Sequence, residues 1–113
     1  MAKNFVKAVQ LREYDAAALS GVLDPISDIP LEGACFLIRI VNNSNTTIQI
    51  SYDGVVGHDV ILPNTALQLD FQTNASPSNY QALLRKGALV WVVSESGLAG
   101  VGTIYLIGYY QEP

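Results

Sequence analysis

From residue 34 onward, apolar and polar side chains alternate with a period of two, and this pattern confines the chain to strands. Over residues 47–52, Ile48, Ile50 and Tyr52 alternate with Thr47, Gln49 and Ser51. Over residues 66–72, Leu67, Leu69 and Phe71 alternate with Gln68, Asp70 and Gln72. Each segment predicts a strand with one face buried and the other wet. Residues 36–41 and 88–93 are apolar on both faces, Arg39 apart, as expected of central strands or strands covered by a partner. Residues 101–110 put Ile104 and Leu106 on one face and Tyr105, Ile107 and Tyr109 on the other.

Turn chemistry separates these runs. Asn42-Asn43-Ser44-Asn45 predicts a hairpin between the first two strands, because Asn tolerates left-handed backbone. Asp53-Gly54, Pro63-Asn64, residues 74–79, Lys86-Gly87 and residues 97–102 mark later connections, the last as a glycine-rich hairpin tip. Strands recurring roughly every ten to fifteen residues, with no helical period between them, indicate a sandwich or barrel. The expected fold is all-β: a single-domain antiparallel β-sandwich, jelly-roll-like, over residues 34–113.

Residues 1–33 differ in pattern. Val6, Ala8 and Gln10 allow a first strand, and residues 15–19 allow one helical turn. Residues 21–33 carry Pro25, Pro30 and acidic side chains with little periodicity. They are expected to form an extended N-terminal arm that packs along the domain or reaches a neighbour. Residues 11–23 are too apolar to stay solvated.

Charged residues make up 14% of the chain and apolar ones 50%, where about 25% charged is usual. A surface this poor in charge is expected to be covered by other chains, most simply by copies of itself. The net charge is −4 and the six Lys and Arg are scattered, apart from Arg85-Lys86. The dense basic patch that direct nucleic-acid contact requires is missing. No run approaches the ~18 apolar residues of a membrane span, and no secretory leader is visible. Synthesis in the cytoplasm, with no membrane partner, is the expectation.

No constellation of catalytic residues emerges. His58-Asp59 is the one candidate dyad, but neighbours on an extended chain point to opposite faces, so Asp59 is badly placed to orient His58. Asp53, Asp59 and Asp70 match no calcium-loop spacing, although a hard cation needs about six to eight oxygens. The glycines of residues 97–102 precede a strand, whereas a phosphate cradle opens a helix. Cys35 has no cysteine to pair with and sits in an apolar run, as a buried small hydrophobe does. No catalytic residue, metal or cofactor is expected.

The aromatic residues say more. Both faces of residues 101–110 carry large side chains, so they cannot all enter one core. One set must meet another element or another chain, and Tyr and Trp are enriched at interface centres. The candidate interface residues are Leu11, Tyr14 and Leu19 from the arm, with Tyr105, Ile107, Tyr109 and Tyr110 from the closing strand. An alternative use of Tyr105, Tyr109 or Trp91 is as stacking platforms in a lectin-like module for host recognition or glycan binding.

Three segments carry a family likeness: Ile38-Arg39-Ile40-Val41-Asn42-Asn43-Ser44, Ile50-Ser51-Tyr52-Asp53-Gly54-Val55-Val56-Gly57-His58-Asp59, and Gly100-Val101-Gly102-Thr103-Ile104-Tyr105 with its continuation to Tyr110. With Asp59-Val60-Ile61-Leu62-Pro63, Phe71-Gln72-Thr73-Asn74 and Lys86-Gly87, the chain resembles small β-sandwich virion proteins of tailed bacteriophages and prophages. In that group a strand ending in paired Asn leads to an S-Y/W-D-G turn, a D-x-x-L-P step and a closing G-x-G-x-x-Y strand. The chain departs from it at Lys86-Gly87-Ala88, where a K-G-T step is frequent. The resemblance implies a non-enzymatic head, collar or tail component, made in the host cytoplasm and carried in the virion. It implies a homo-oligomer that binds other virion proteins of the capsid, portal, collar or tail.

Overall fold

The computed structural model describes residues 5–70 and 84–112. Its strands are β1 (Phe5–Ala8), β2 (Arg12–Asp15), β3 (Asp24–Pro25), β4 (Cys35–Ser44), β5 (Ile48–Ser51), β6 (Asp59–Ile61), β7 (Thr65–Asp70), β8 (Trp91–Ser94) and β9 (Gly102–Glu112), with a 3-10 turn at Ala16–Ala18. No helix among the described residues is long and apolar enough to cross a membrane.

The pairing follows one rule. β2 pairs with β9, β3 with β8, β4 with β7 and β5 with β6, all antiparallel. The chain is thus a nested hairpin doubled back about the loop after β5. Rolling that hairpin brings β4 against β9 and β5 against β8. The result is two sheets, β1/β2–β9–β4–β7 and β3–β8–β5–β6. This is the strand order of a jelly roll, a single all-β sandwich as the alternation predicts.

Between the sheets lies a core of Ile38 and Ile40 from β4, Ile104 and Leu106 from β9, Ile48 and Ile50 from β5, and Val90, Val92 and Ile61. Branched side chains at alternate positions suit a pleated surface and seal it. Each such burial stabilises by about 1.5–3 kcal/mol. Cys35 is fully buried among them, and burial, with the nearby charge of Glu32, pushes its thiol up to about 11. Leu67 and Leu69 pack on the core from β7, while Phe71, Gln72 and the Phe71–Asn74 motif lie outside the described residues.

Two expected hairpins are crossings between sheets. Residues 42–45 do not turn back: β4 continues through Ser44, and the chain then passes from the first sheet to β5 in the second. Asn42, expected in a turn, is fully buried. Its amide donates to the carbonyls of Thr46 (2.8 Å), Ile61 (3.1 Å) and Leu62 (3.2 Å) and so ties the crossing to the end of β6. Residues 97–102 likewise join β8 to β9 across the sandwich. Gly97 N–H donates to Ser94 O, Gly100 N–H to Ala16 O and Val101 N–H to Asn45 Oδ1.

The expected arm is woven into both sheets over its described part. β1 and β2 share one edge of β9, and β3 lines β8. Between the pairs Ala8↔Tyr109 and Arg12↔Leu106, Val9, Gln10 and Leu11 face only Ile107 and Gly108, which makes a bulge. Val9, Tyr14, Ala16, Leu19, Ile26 and Leu31 all enter the core. The physical reason is alternation at short range: Arg12 and Tyr14 point inward, Glu13 and Asp15 outward.

Arg12 is the unusual member of that inner row. Its guanidinium, buried at the sheet edge, donates to the carbonyls of Gln10, Ile29 and Pro30 and pairs with Glu32. It therefore clips the connection between β3 and β4 onto β2. Burial raises the Glu32 carboxyl, but hydrogen bonds from Arg12 and from Gln10 N–H, with the charge of Arg12, outweigh it and hold the group below its usual 4.5. A depressed carboxyl contributes stability that is present above the unfolded value and lost as pH falls through the folded one. Glu32→Gln is therefore expected to cost about 1 kcal/mol at pH 7, discounted for the exposure of Glu32. The cost should shrink towards zero well below pH 4.5. Urea midpoints of both proteins at neutral and acid pH check this.

Candidate functional site

β9 is central in the first sheet and carries large side chains on both faces. Ile104, Leu106 and Gly108 face the core, so Tyr105, Ile107 and Tyr109 face out. The register places Tyr105 between Glu13 and Val41, Ile107 beside Arg39, and Tyr109 beside Leu37. One strand further, Val41 meets Ala66, Arg39 meets Gln68 and Leu37 meets Asp70. Leu37, Val41, Tyr105 and Ile107 are half-buried by one another and Tyr109 is 37% exposed. They form a continuous apolar patch with the exposed Arg39 at its centre and Glu13, Gln68 and Asp70 at its rim. A depression of about 300 Å³ beside it is lined by Arg39, Val41, Asn43, Asn64, Ala66 and Tyr105, among others.

The predicted interface residues separate into groups. Tyr105, Ile107 and Tyr109 share this outer face, and Leu11 is exposed in the bulge next to it. Tyr110 faces the other way: a Cβ on Gly33 would lie 2.3 Å from its ring, so Gly33 is the seat of an inward tyrosine. Tyr14 and Leu19, at 7% and 4% exposure, belong to the chain's own core, and neither is available to a partner. Tyr14 is anchored there by its hydroxyl, which donates to Asp24 (2.7 Å). Leu37, Arg39 and Val41, the neighbours of Tyr109, Ile107 and Tyr105 on this face, are not among the residues that the sequence singles out. Their signal was the doubly apolar run 36–41, which only the β4–β9 register assigns to faces.

The remaining candidates are used locally. His58 Nδ1 accepts from Tyr52 N–H (3.1 Å) and its ring stacks on Tyr52, with centroids 5.5 Å apart. Its Nε2 is 3.7 Å from Asp53 Oδ2, while Asp59 accepts from the Tyr52 hydroxyl (2.7 Å) and not from His58. Asp53 Oδ1 accepts from Val55 N–H, Val56 N–H and Ser51 Oγ. The two backbone N–H groups hold this carboxyl below its usual range. Asp53, Asp59 and Asp70 do not converge, and no group of three or more potential metal ligands is gathered among the described residues.

No family model matches the sequence, and no curated protein matches it. The fold is similar to that of a Bacillus endospore appendage chain, from a novel family of disulfide-linked pili, with a TM-score of 0.52 at 10% identity over 99% of this chain and 93% of that one. At that identity the likeness is one of fold. Looser likenesses link it to the giant freshwater prawn Macrobrachium rosenbergii extra small virus VLP and to PirA. The first has a TM-score of 0.44 at 9% identity, covering 96% of this chain and 80% of that one. The second has a TM-score of 0.36 at 13% identity, covering 97% and 95%.

Proposed function

We propose that the chain is a non-enzymatic structural subunit of a bacteriophage virion, assembling with copies of itself and with neighbouring head, collar or tail proteins. The observation that carries assembly is the outer face of the β1/β2–β9–β4–β7 sheet. There Leu37, Val41, Tyr105, Ile107 and Tyr109 lie side by side around one arginine. Tyrosine and arginine, here among aliphatic side chains with a polar rim, are residue types enriched in protein–protein contacts. The low charge of the whole chain supports the same use. The appendage protein of similar fold forms pili, which makes this sandwich compatible with polymerisation. Those pili are disulfide-linked, whereas Cys35 here is fully buried, so contacts between copies of this chain would be non-covalent. Placement in a phage particle, after synthesis in the host cytoplasm, is supported by the turn motifs alone.

The test is the mass of the assembled species with and without the patch. Tyr105→Glu and Ile107→Glu each put a charge into the contact and are expected to weaken self-association at least ~30-fold. Far-ultraviolet circular dichroism should stay close to that of the wild type, since neither side chain enters the core. A wild-type chain that stays monomeric at high concentration, and is missing from purified particles, overturns the proposal.

A further inference from the structure

At the end of the second sheet an open cavity of about 570 Å³ is lined by Tyr52, Asp53, Arg85, Leu89 and Trp91, with Leu84, Gly87 and Ala88 completing the wall. It is built by three local devices. Trp91 stands on the outer face of β8, opposite Ser51 in register. The loop after β5 folds back over it so closely that a Cβ on Gly54 would lie 2.8 Å from the indole, and Gly54 adopts φ +76°. Backbone thus braces one side of the indole, and part of what is left of it lines the cavity. The third device is the Asx turn at Asp53. It engages Oδ1 with the loop N–H groups, and among the described residues Oδ2 has only His58 Nε2 near it, at 3.7 Å, beyond hydrogen-bonding distance. Arg85 is exposed on the same wall, and Gly87 has nothing within 4 Å of a Cβ position, so the rim there is open.

A braced indole, a second aromatic ring, an ionised acceptor and a guanidinium donor around one open cavity suit a ring with an apolar face and a hydroxylated edge. We propose that this cavity binds a pyranose unit of a neutral glycan. The sugar's C–H face packs on Trp91, and its hydroxyls donate to Asp53 and accept from Arg85. A phosphorylated or carboxylated ligand fits less well. Asp53 opposes its charge, and Arg85 is the one basic residue among the described residues that line the cavity. The site is on the opposite sheet from the assembly patch and independent of it.

Trp91 is the chain's single tryptophan, so its emission reports on this cavity alone. Titration of the full chain with methyl glucoside, methyl galactoside, N-acetylglucosamine and, as the acidic arm, N-acetylneuraminic acid is the test. At least one neutral pyranoside is expected to change the emission saturably, with Kd on the order of 1–10 mM. Arg85→Ala and Asp53→Asn should each weaken it about tenfold. The second keeps an acceptor at Oδ1, so the loop retains its turn, and unchanged far-ultraviolet circular dichroism of the ligand-free variants verifies the fold. Absence of saturable change with every neutral sugar overturns the proposal. So does binding that neither substitution alters, or binding confined to the acidic sugar.

Discussion

Replacing Gly102 with alanine is expected to destabilise the protein by about 4 kcal/mol or more, a large share of a small domain's total. Gly102 begins β9 opposite Ser44, at φ +124°. A Cβ there would lie 2.1 Å from the carbonyl oxygen of Asn43 and 2.8 Å from the Cα of Ser44. Both obstacles are backbone of the neighbouring strand, so no side-chain rotation relieves them. The β4–β9 ladder, which organises the first sheet, must open at that end or shift. Gly87→Ala is the control, because Gly87 is also at positive φ (+87°) but has nothing within 4 Å. It should cost about 1 kcal/mol, the conformational part alone. Chemical denaturation of the two variants measures the difference. Equal midpoints would show that the close approach at Gly102 is unimportant.

Asn42→Leu is expected to cost about 3 kcal/mol although it preserves size and adds apolar surface. The amide serves three carbonyls, those of Thr46, Ile61 and Leu62, and accepts from Ser44 Oγ at 2.5 Å. Leucine leaves the Ile61 carbonyl and the Ser44 hydroxyl without this partner at buried positions, while Thr65 still serves the carbonyl of Leu62. Asn42→Asp should be worse at neutral pH, because a carboxylate would face the same carbonyls with no N–H to offer. Buried there, the introduced carboxyl has a raised folded pKa, so the extra deficit should diminish as the solution is acidified and the group becomes neutral. Urea midpoints of the two variants at pH 7 and pH 5 check both the order and its pH dependence. If aspartate is tolerated as well as leucine, the amide is not donating as drawn.

These two residues also mark where sequence patterns stop being sufficient. Gly102 and Asn42 both belong to turn-rich stretches, and both were expected in hairpin connections. Turn chemistry reports that the chain bends or approaches something closely. It does not report whether the next strand returns beside the last one or crosses to the opposite sheet. The Asn42-Asn43-Ser44 stretch lies within β4, and its buried amide replaces the hydrogen bonds that the crossing carbonyls would otherwise lose. Likewise, alternation over residues 12–15 is too short to stand out in a polar stretch. Arg12 at an inward position argues against a buried row until its carbonyl partners and Glu32 are seen.

The alternating closing strand was legible from the residues alone. Strict period-two placement of Ile104 and Leu106 against Tyr105, Ile107 and Tyr109 dictates two faces, and only one of them can enter a core. The same periodicity dictated the all-β class and the core positions Ile48 and Ile50, whereas Ile38 and Ile40 lie in a run apolar on both faces. What only the tertiary structure decided is which strands become neighbours. Pairing β4 with β9 sets Leu37 and Val41 beside Tyr109 and Tyr105 and makes a patch from side chains about 70 residues apart in sequence. Folding the loop after β5 onto β8 sets Asp53 beside Trp91 and makes a cavity. Periodicity is a local property, written by each strand's own pleat. Neighbourhood is a global one, settled only when the nested hairpin rolls up and every buried backbone group finds its partner.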